Sequence, residues 1–193
     1  MDVLKEKCAN CHACISSCPV KMCNKASGEY VEINHEACIG CGKCIEVCEK
    51  AGHKARIAVD DVGNFVKDLS SGVEFYTIVA PAIYSNFKDY RKVNYFLKKI
   101  GSKKIFDVSY GAELATKTYV ELIKKDTMDC IITQPCPSIV SFIELYKPEL
   151  IKKLSPAHSP MMHAIKYAEN KFEELKDMNI LVISPCIAKK NEL

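Results

Sequence analysis

From Phe75 onward, short apolar runs alternate with longer periodic stretches. Phe75–Ala80 (F-Y-T-I-V-A) reads as a strand closed by Pro81, and Lys104–Val108 (K-I-F-D-V) as the next. Met128–Thr133 (M-D-C-I-I-T) and Asn179–Ser184 (N-I-L-V-I-S) read as two more, each running into a Pro-Cys pair. Between them, Ser85–Ile100 places Tyr90, Val93, Phe96, Leu97 and Ile100 at helical spacing and stops at Gly101. Ala112–Lys125, Pro137–Tyr146 and a stretch from Ser159-Pro160 to Lys176 also read as helices; proline is tolerated in a first turn. Short apolar strands with helical crossovers predict a mainly parallel sheet covered on both faces.

The first part of the chain is built differently. Short strands are expected at Glu29–Ile33 and Ala55–Val59, with a small apolar shell of Ile15, Val20, Ile33, Ile39, Ile45 and Val47. Asp60–Glu74 is polar and glycine-bearing, and reads as a connector with a boundary near Ser70–Val73. The expected division is therefore 1–59, a connector 60–74, and an α/β domain 75–193.

Cysteine placement changes the picture. Nine of the twelve cysteines lie from Cys8 to Cys48, eight of them in two runs of form C-x2-C-x2-C-x3-C. Three thiolates at this spacing wrap one corner of a cubane iron–sulfur cluster, and the fourth reaches the partner cluster. The spacing assigns Cys8, Cys11, Cys14 and Cys48 to a first 4Fe-4S cluster, and Cys38, Cys41, Cys44 and Cys18 to a second. This is a two-cluster ferredoxin pattern, so residues 1–59 are expected to form an α+β ferredoxin-like module. Zinc normally uses two C-x2-C pairs per site and would leave the third and fourth cysteines of each run unused. Disulfides require an oxidising compartment, and no apolar leader precedes Cys8. Gly40 and Gly42 fit a tight cluster-wrapping loop. Cys23, outside both runs, is expected to be a packed thiol. His12 and His35 are expected to hydrogen-bond or sit at the surface.

Composition adds limits. Hydrophobic residues make up 48% of the 193 positions, with no run of transmembrane length. A reducing cytoplasm is the expected location. The formal charge of +3 treats cysteines as neutral; two cubanes with four thiolates each would bring it to roughly −1. Lysines such as Lys98, Lys99, Lys103 and Lys104 read as a solvated face, and no nucleic-acid partner is expected.

Three strand ends share a pattern: Pro81, Pro135-Cys136-Pro137 and Pro185-Cys186. In a parallel sheet, carboxyl ends lie on one edge, where open α/β folds place ligands. Cys136 and Cys186 are expected to converge there as a third metal site, with ordinary buried thiols as the alternative. Cys130 is expected to be buried in its strand.

The stretch T-Q-P-C-P-S-I-V-S-F-I-E-L-Y-K-P-E-L-I-K-K-L-S-P-A-H-S-P resembles the first active-site signature of the iron–iron (FeFe) hydrogenases, and S-P-C-I-A-K-K resembles the second. V-A-P-A-I and F-D-V-S-Y-G-A-E-L are similar to the same catalytic domain. The resemblance covers nearly the whole chain and implies part of that catalytic domain. It implies that Cys136 and Cys186 are two of the four cysteine ligands of an H-cluster, a cubane joined to a two-iron site. It implies that Lys189 holds a cyanide ligand, that Ala80-Pro81 lines the two-iron pocket, and that Ser155 is a proton-relay hydroxyl. The terminal relay cysteine of catalytic members is replaced here by Pro135, which has no transferable proton. Ser184 stands where a methionine is usual, and Thr118, Tyr119 and Leu122 fall near the relay carboxylate positions. The third signature is absent, so the chain is expected to be an N-terminal fragment. Such losses imply slow H2 chemistry, as in the family's sensory branch. The implied partners are a redox protein, a ferredoxin or another electron donor or acceptor, and a downstream signalling domain or protein. A working hydrogenase (2H+ + 2e− to H2) and a plain electron carrier with a structural α/β domain are the alternatives.

Overall fold

The computed structural model describes residues 1–125 and 128–192. In chain order the elements are β1 (Asp2–Val3), α1 (Ala13–Ser16), β2 (Asn24–Ala26), β3 (Val31–Ile33), α2 (Lys43–Lys50), β4 (Arg56–Ile57), α3 (Val62–Ser70), β5 (Phe75–Val79), α4 (Ile83–Asn86), α5 (Tyr90–Lys99), β6 (Ser102–Asp107), α6 (Val108–Lys124), α7 (Pro137–Tyr146), α8 (Pro160–Lys171) and β7 (Asn179–Ile183). Short 3-10 turns lie at Pro148–Lys153, Glu173–Leu175 and Ile187–Glu192. The chain forms two compact units that are not sequential: Met1–Asp61 with Pro137–Pro148 and Ile187–Leu193, and Val62–Cys136 with Glu149–Cys186.

The first unit holds two small antiparallel pairs, β1 with β4 and the hairpin β2–β3. Val20 and Ile39 are buried with Cys18 and Cys23, while Ile15, Ile45 and Val47 pack around Val31, Cys14 and Cys44. α7 adds Phe142 and Tyr146 to the Cys18 side.

The second unit is organised on a three-stranded parallel sheet in the order β6-β5-β7. β5 is buried at all five positions, which explains its unbroken apolar reading. One face packs Tyr76 and Ile78 against Met161, Ala164, Ile165 and Ala168 of α8. The other packs Val79, Ile83 and Leu97 with Val93 and Ile105. The expectation of a parallel sheet covered on both faces is met. α6 crosses α8 at Gly111, where a Cβ would stand 2.0 Å from the Pro160 carbonyl oxygen.

Several expectations are corrected. Met128–Thr133 is not a strand of the sheet: the Ile132 N–H donates to Lys153 (2.8 Å) and its carbonyl accepts from Ser155 (2.9 Å), so its backbone bonds are used locally. Cys130 is consequently exposed, not buried in a strand. The connector 60–74 contains α3, whose Val62, Phe65, Val66 and Leu69 follow helical spacing. The Phe65 ring meets Phe75 edge-on at 5.3 Å. The expected helix Ser85–Ile100 is broken at Phe87, which is extended. α6 begins at Val108 because Asp107 caps it, accepting from the Ser109 N–H at 2.7 Å. α8 ends early because Phe172 turns extended, and its ring lies 5.9 Å from Phe106.

Candidate metal centres

The two cysteine runs are built on one plan, thirty residues apart. In the second, Gly40 and Gly42 have φ of 71° and 76°; in the first, the same places hold Asn10 and His12 at 49° and 61°. Left-handed residues between the thiols curl the backbone into a concave nest suited to an anionic group. Glycine adopts this shape without strain, whereas the first loop holds it by hydrogen bonds. Asn10 Nδ2 donates to the Gly28 carbonyl at 2.7 Å, and His12 Nε2 lies 3.1 Å from Asn10 Oδ1. α1 and α2 start directly after His12 and Gly42 and carry Cys14, Cys44 and Cys48 into buried positions.

Cys8, Cys11, Cys14 and Cys48, named together from spacing, line one small pocket with Val31, Ala55 and Arg56. The Ala55 N–H donates to Cys48 Sγ at 3.2 Å. Arg56, 4% exposed, directs Nη2 to Cys14 Sγ at 3.5 Å and to the Val31 carbonyl at 2.8 Å. Its Nη1 is buried with no hydrogen-bond partner. A buried guanidinium with an unspent donor beside four thiols is costly unless an anionic group completes it. These residues fit a thiolate-ligated cluster.

Around the second set, Cys18 and Cys38 pack with Cys23, Val20 and Ile39. Burial pushes the Cys44 thiol up to about 11; Arg56 pulls the other way, and the nearby Cys38, Cys41 and Cys14 add to the rise. A bound metal would reverse this and deprotonate the thiol outright. Cys18 and Cys23 hold their sulfurs 3.1 Å apart. Burial opposes ionisation of Cys18, yet the Cys23 thiol and the backbone of Val20 and Lys21 hold its pKa below the ordinary value. Burial, then the neighbouring Cys18, raises that of Cys23. Among the described residues, no three His, Cys, Asp or Glu side chains converge on a single-ion position.

Two later segments pack on this second loop. The Tyr146 hydroxyl of α7 donates to the Ala37 carbonyl at 2.7 Å. In the 3-10 turn Ile187–Glu192, Ala188 stands 3.7 Å from where a Cβ on Gly40 would lie, and Ile187 stands 3.1 Å from one on Gly42. The Lys189 ammonium pairs with Glu192 at 2.8 Å. α7 follows Cys136 directly, and the turn follows Cys186 directly.

At the Pro-Cys motifs, β5 and β7 end in register at Val79 and Ile183, and the Ala80 N–H donates to the Ile183 carbonyl at 2.9 Å. Ala80-Pro81 and Ser184–Cys186 therefore leave the sheet side by side. Ser184 Oγ accepts from the Cys186 N–H at 3.2 Å. Cys136 and Cys186 are both exposed. Cys136 reaches its place by another route: Gln134 Nε2 donates to the carbonyls of Ser155 (2.5 Å) and Ala157 (2.8 Å). Ser155 is 1% exposed, and its Oγ accepts from the Ala157 N–H at 3.2 Å. Sequence reasoning missed Arg56, Asn10 and Gln134. Asn10, between Cys8 and Cys11, and Gln134, two residues before Cys136, carried a local signal; Arg56 carried none.

The paired thiol loops and the parallel sheet define an iron–sulfur protein. Residues 73–193 match the family described as "Iron only hydrogenase large subunit, C-terminal domain", and the chain belongs to it. Residues 1–49 match the "4Fe-4S dicluster domain". The chain is 26% identical to Iron hydrogenase 1 of Clostridium pasteurianum over 222 aligned positions, covering 100% of this chain and 39% of the relative. It is 28% identical to the cytosolic Fe-S cluster assembly factor NAR1 of Encephalitozoon cuniculi, covering 89% and 47%. The chain thus spans less than half the length of both. An [FeFe]-hydrogenase structure, determined in work on oxygen inactivation, shares the fold at a TM-score of 0.55 and 21% identity, over 69% of this chain and 41% of that one. Among the described residues, no helix is long and apolar enough to cross a membrane.

Proposed function

We propose that this protein carries electrons through two 4Fe-4S clusters in a ferredoxin-like N-terminal module to an H-cluster-like centre that uses Cys136 and Cys186. We further propose that it senses H2 or redox state through slow turnover. The ligand sets are Cys8, Cys11, Cys14 and Cys48 for one cluster, and Cys38, Cys41, Cys44 and Cys18 for the other. The observation that carries the electron route is that the segments directly after Cys136 and Cys186 both rest on the loop of Cys38 and Cys41. When bound, the clusters supply one-electron steps.

The chain's own residues set the conditions. The apolar shell keeps water from the thiols and lowers the local dielectric. Arg56 places a buried positive charge against Cys14. Ala80 and Pro81 border the same sheet edge as Cys186. Pro135 can neither take nor give a proton, and general acid–base catalysis requires a positioned group of matched pKa. Ser155 keeps a hydroxyl near the Cys136 loop, and Lys189 is the cation offered to an anionic ligand. The electron source is a redox protein, a ferredoxin or similar carrier, and the readout passes to a signalling domain or protein in the cytoplasm.

A second reading is a cluster-holding protein without hydrogen chemistry. It is favoured by Pro135 and by the similarity to the cluster assembly factor across 89% of the chain. Anaerobic reconstitution with iron counting, EPR and an H2 assay separates them. About twelve or more irons with slow H2 turnover supports the first. About eight irons and no turnover supports the second, and iron-free protein sinks both.

A further inference from the structure

Beside the second thiol set lies a fifth thiol, Cys23, that neither run accounts for. The segment after Cys18 folds back on itself, with Lys21 left-handed and the Met22 N–H bonded to the Val20 carbonyl at 2.7 Å. This brings Cys23, 4% exposed, to 3.1 Å from Cys18 Sγ. Two thiolates on one metal at about 2.3 Å bond lengths in tetrahedral geometry stand further apart than that. The two sulfurs are instead within reach of an S–H···S hydrogen bond, in which either can be the donor. Asn24 fixes Cys23 in place: its Nδ2 lies 3.6 Å from Cys23 Sγ and donates to the Cys14 carbonyl at 3.2 Å. The Asn34 N–H holds the Cys23 carbonyl at 2.7 Å.

We propose that Cys23 is a reserve ligand of the second cluster, able to replace Cys18 on the same iron. The exchange breaks one Fe–S bond to Cys18 and forms one to Cys23. The Cys23 proton passes to the departing Cys18 sulfur along the existing hydrogen bond, so charge and electron count are unchanged and no oxidant is needed. Burial keeps both sulfurs from solvent, so the displaced thiol stays beside the iron and the exchange is reversible.

The inference rests on the two-cluster reading, and the test separates the two. Wild-type protein reconstituted anaerobically should bind about eight irons; fewer than about four would defeat the two-cluster reading itself. Cys18→Ala, Cys18→Ser and Cys23→Ala should each keep the full iron count and both reduced-cluster EPR signals. In the Cys18 variants, one signal should be altered in shape. The Cys18→Ala/Cys23→Ala double variant should lose half the iron. In the Cys18→Ala holoprotein, Cys23 should resist alkylation until iron is chelated. The proposal is overturned if both Cys18 single variants lose as much iron as the double variant. It is equally overturned if neither yields folded protein while Cys23→Ala does, or if Cys23 alkylates freely in Cys18→Ala holoprotein.

Discussion

The Tyr146 hydroxyl donates a 2.7 Å hydrogen bond to the carbonyl of Ala37, a residue 109 positions earlier and next to Cys38. It ties the helix that follows Cys136 to the loop of the second thiol set. Tyr146→Phe removes the donor and leaves a partly buried carbonyl unpaired. The variant should lose about 1 kcal/mol of stability while keeping its iron. Anaerobic denaturant unfolding, with iron counted before and after, checks this.

Arg56 is a buried cation with one N–H directed at Cys14 Sγ and another without a partner. A positive charge there favours the reduced, more negative cluster. Arg56→Gln should lower the reduction potential of one cluster by about 60 mV, a tenfold change in a one-electron equilibrium. The other cluster, whose Cys44 thiol Arg56 also acts on, should move in the same direction by less. EPR-monitored redox titration reads both, and an upward shift would contradict the argument.

Gly111 and Gly63 should respond in opposite directions to alanine. A Cβ on Gly111 would stand 2.0 Å from the Pro160 carbonyl oxygen and 2.8 Å from the Ala164 nitrogen, so α6 and α8 must part. Gly111→Ala should cost about 1–3 kcal/mol or more. Gly63, inside α3, meets nothing within 4 Å. Gly63→Ala should gain roughly 0.5–1 kcal/mol through helix propensity. Thermal unfolding of the two variants side by side gives the comparison.

On the proposed hydrogen chemistry, Pro135 stands where a proton-relay cysteine is expected. If an H-cluster-like centre is assembled, Pro135→Cys should raise H2 production at least about tenfold, since a positioned acid–base group contributes about 10²–10⁴-fold. Gas chromatography of the matured, chemically reduced protein measures it. An unchanged rate with a full iron count would favour the reading without hydrogen chemistry.

Burial holds the pKa of His163 below its usual 6.5, with His158 and Lys166 adding to the effect. In the window just below pH 6.5 the unfolded chain therefore takes up a proton that the folded chain refuses. Stability should be complete above that pH and decline as pH falls through the window. His163→Gln should flatten that slope. Unfolding free energies at several pH values between 5 and 8 report the difference.

The two thiol loops were legible because iron–sulfur loops demand close, fixed spacing, and cysteine is rarely placed so by packing alone. β5 was legible because burial at all five positions demands a nearly unbroken apolar run, and β7 because Ile180–Ile183 is apolar although only partly buried. α3 was overlooked because polar residues interrupt Val62, Phe65, Val66 and Leu69, although the helical period survives. Met128–Thr133 misled because apolar content says that a segment is sheltered, not which neighbour takes its hydrogen bonds.

By itself the sequence determined the iron–sulfur class: two repeated thiol loops, the start of the parallel sheet, and the cysteines that lie beside prolines. Those follow from short-range spacing, which the chain carries wherever it folds. Only the tertiary structure decided that Arg56 meets Cys14, that Cys23 meets Cys18 within a folded-back loop, and that the segments after Cys136 and Cys186 rest on the second thiol loop. Those pairings depend on long-range closure and on which surfaces burial brings together, and no local pattern encodes them.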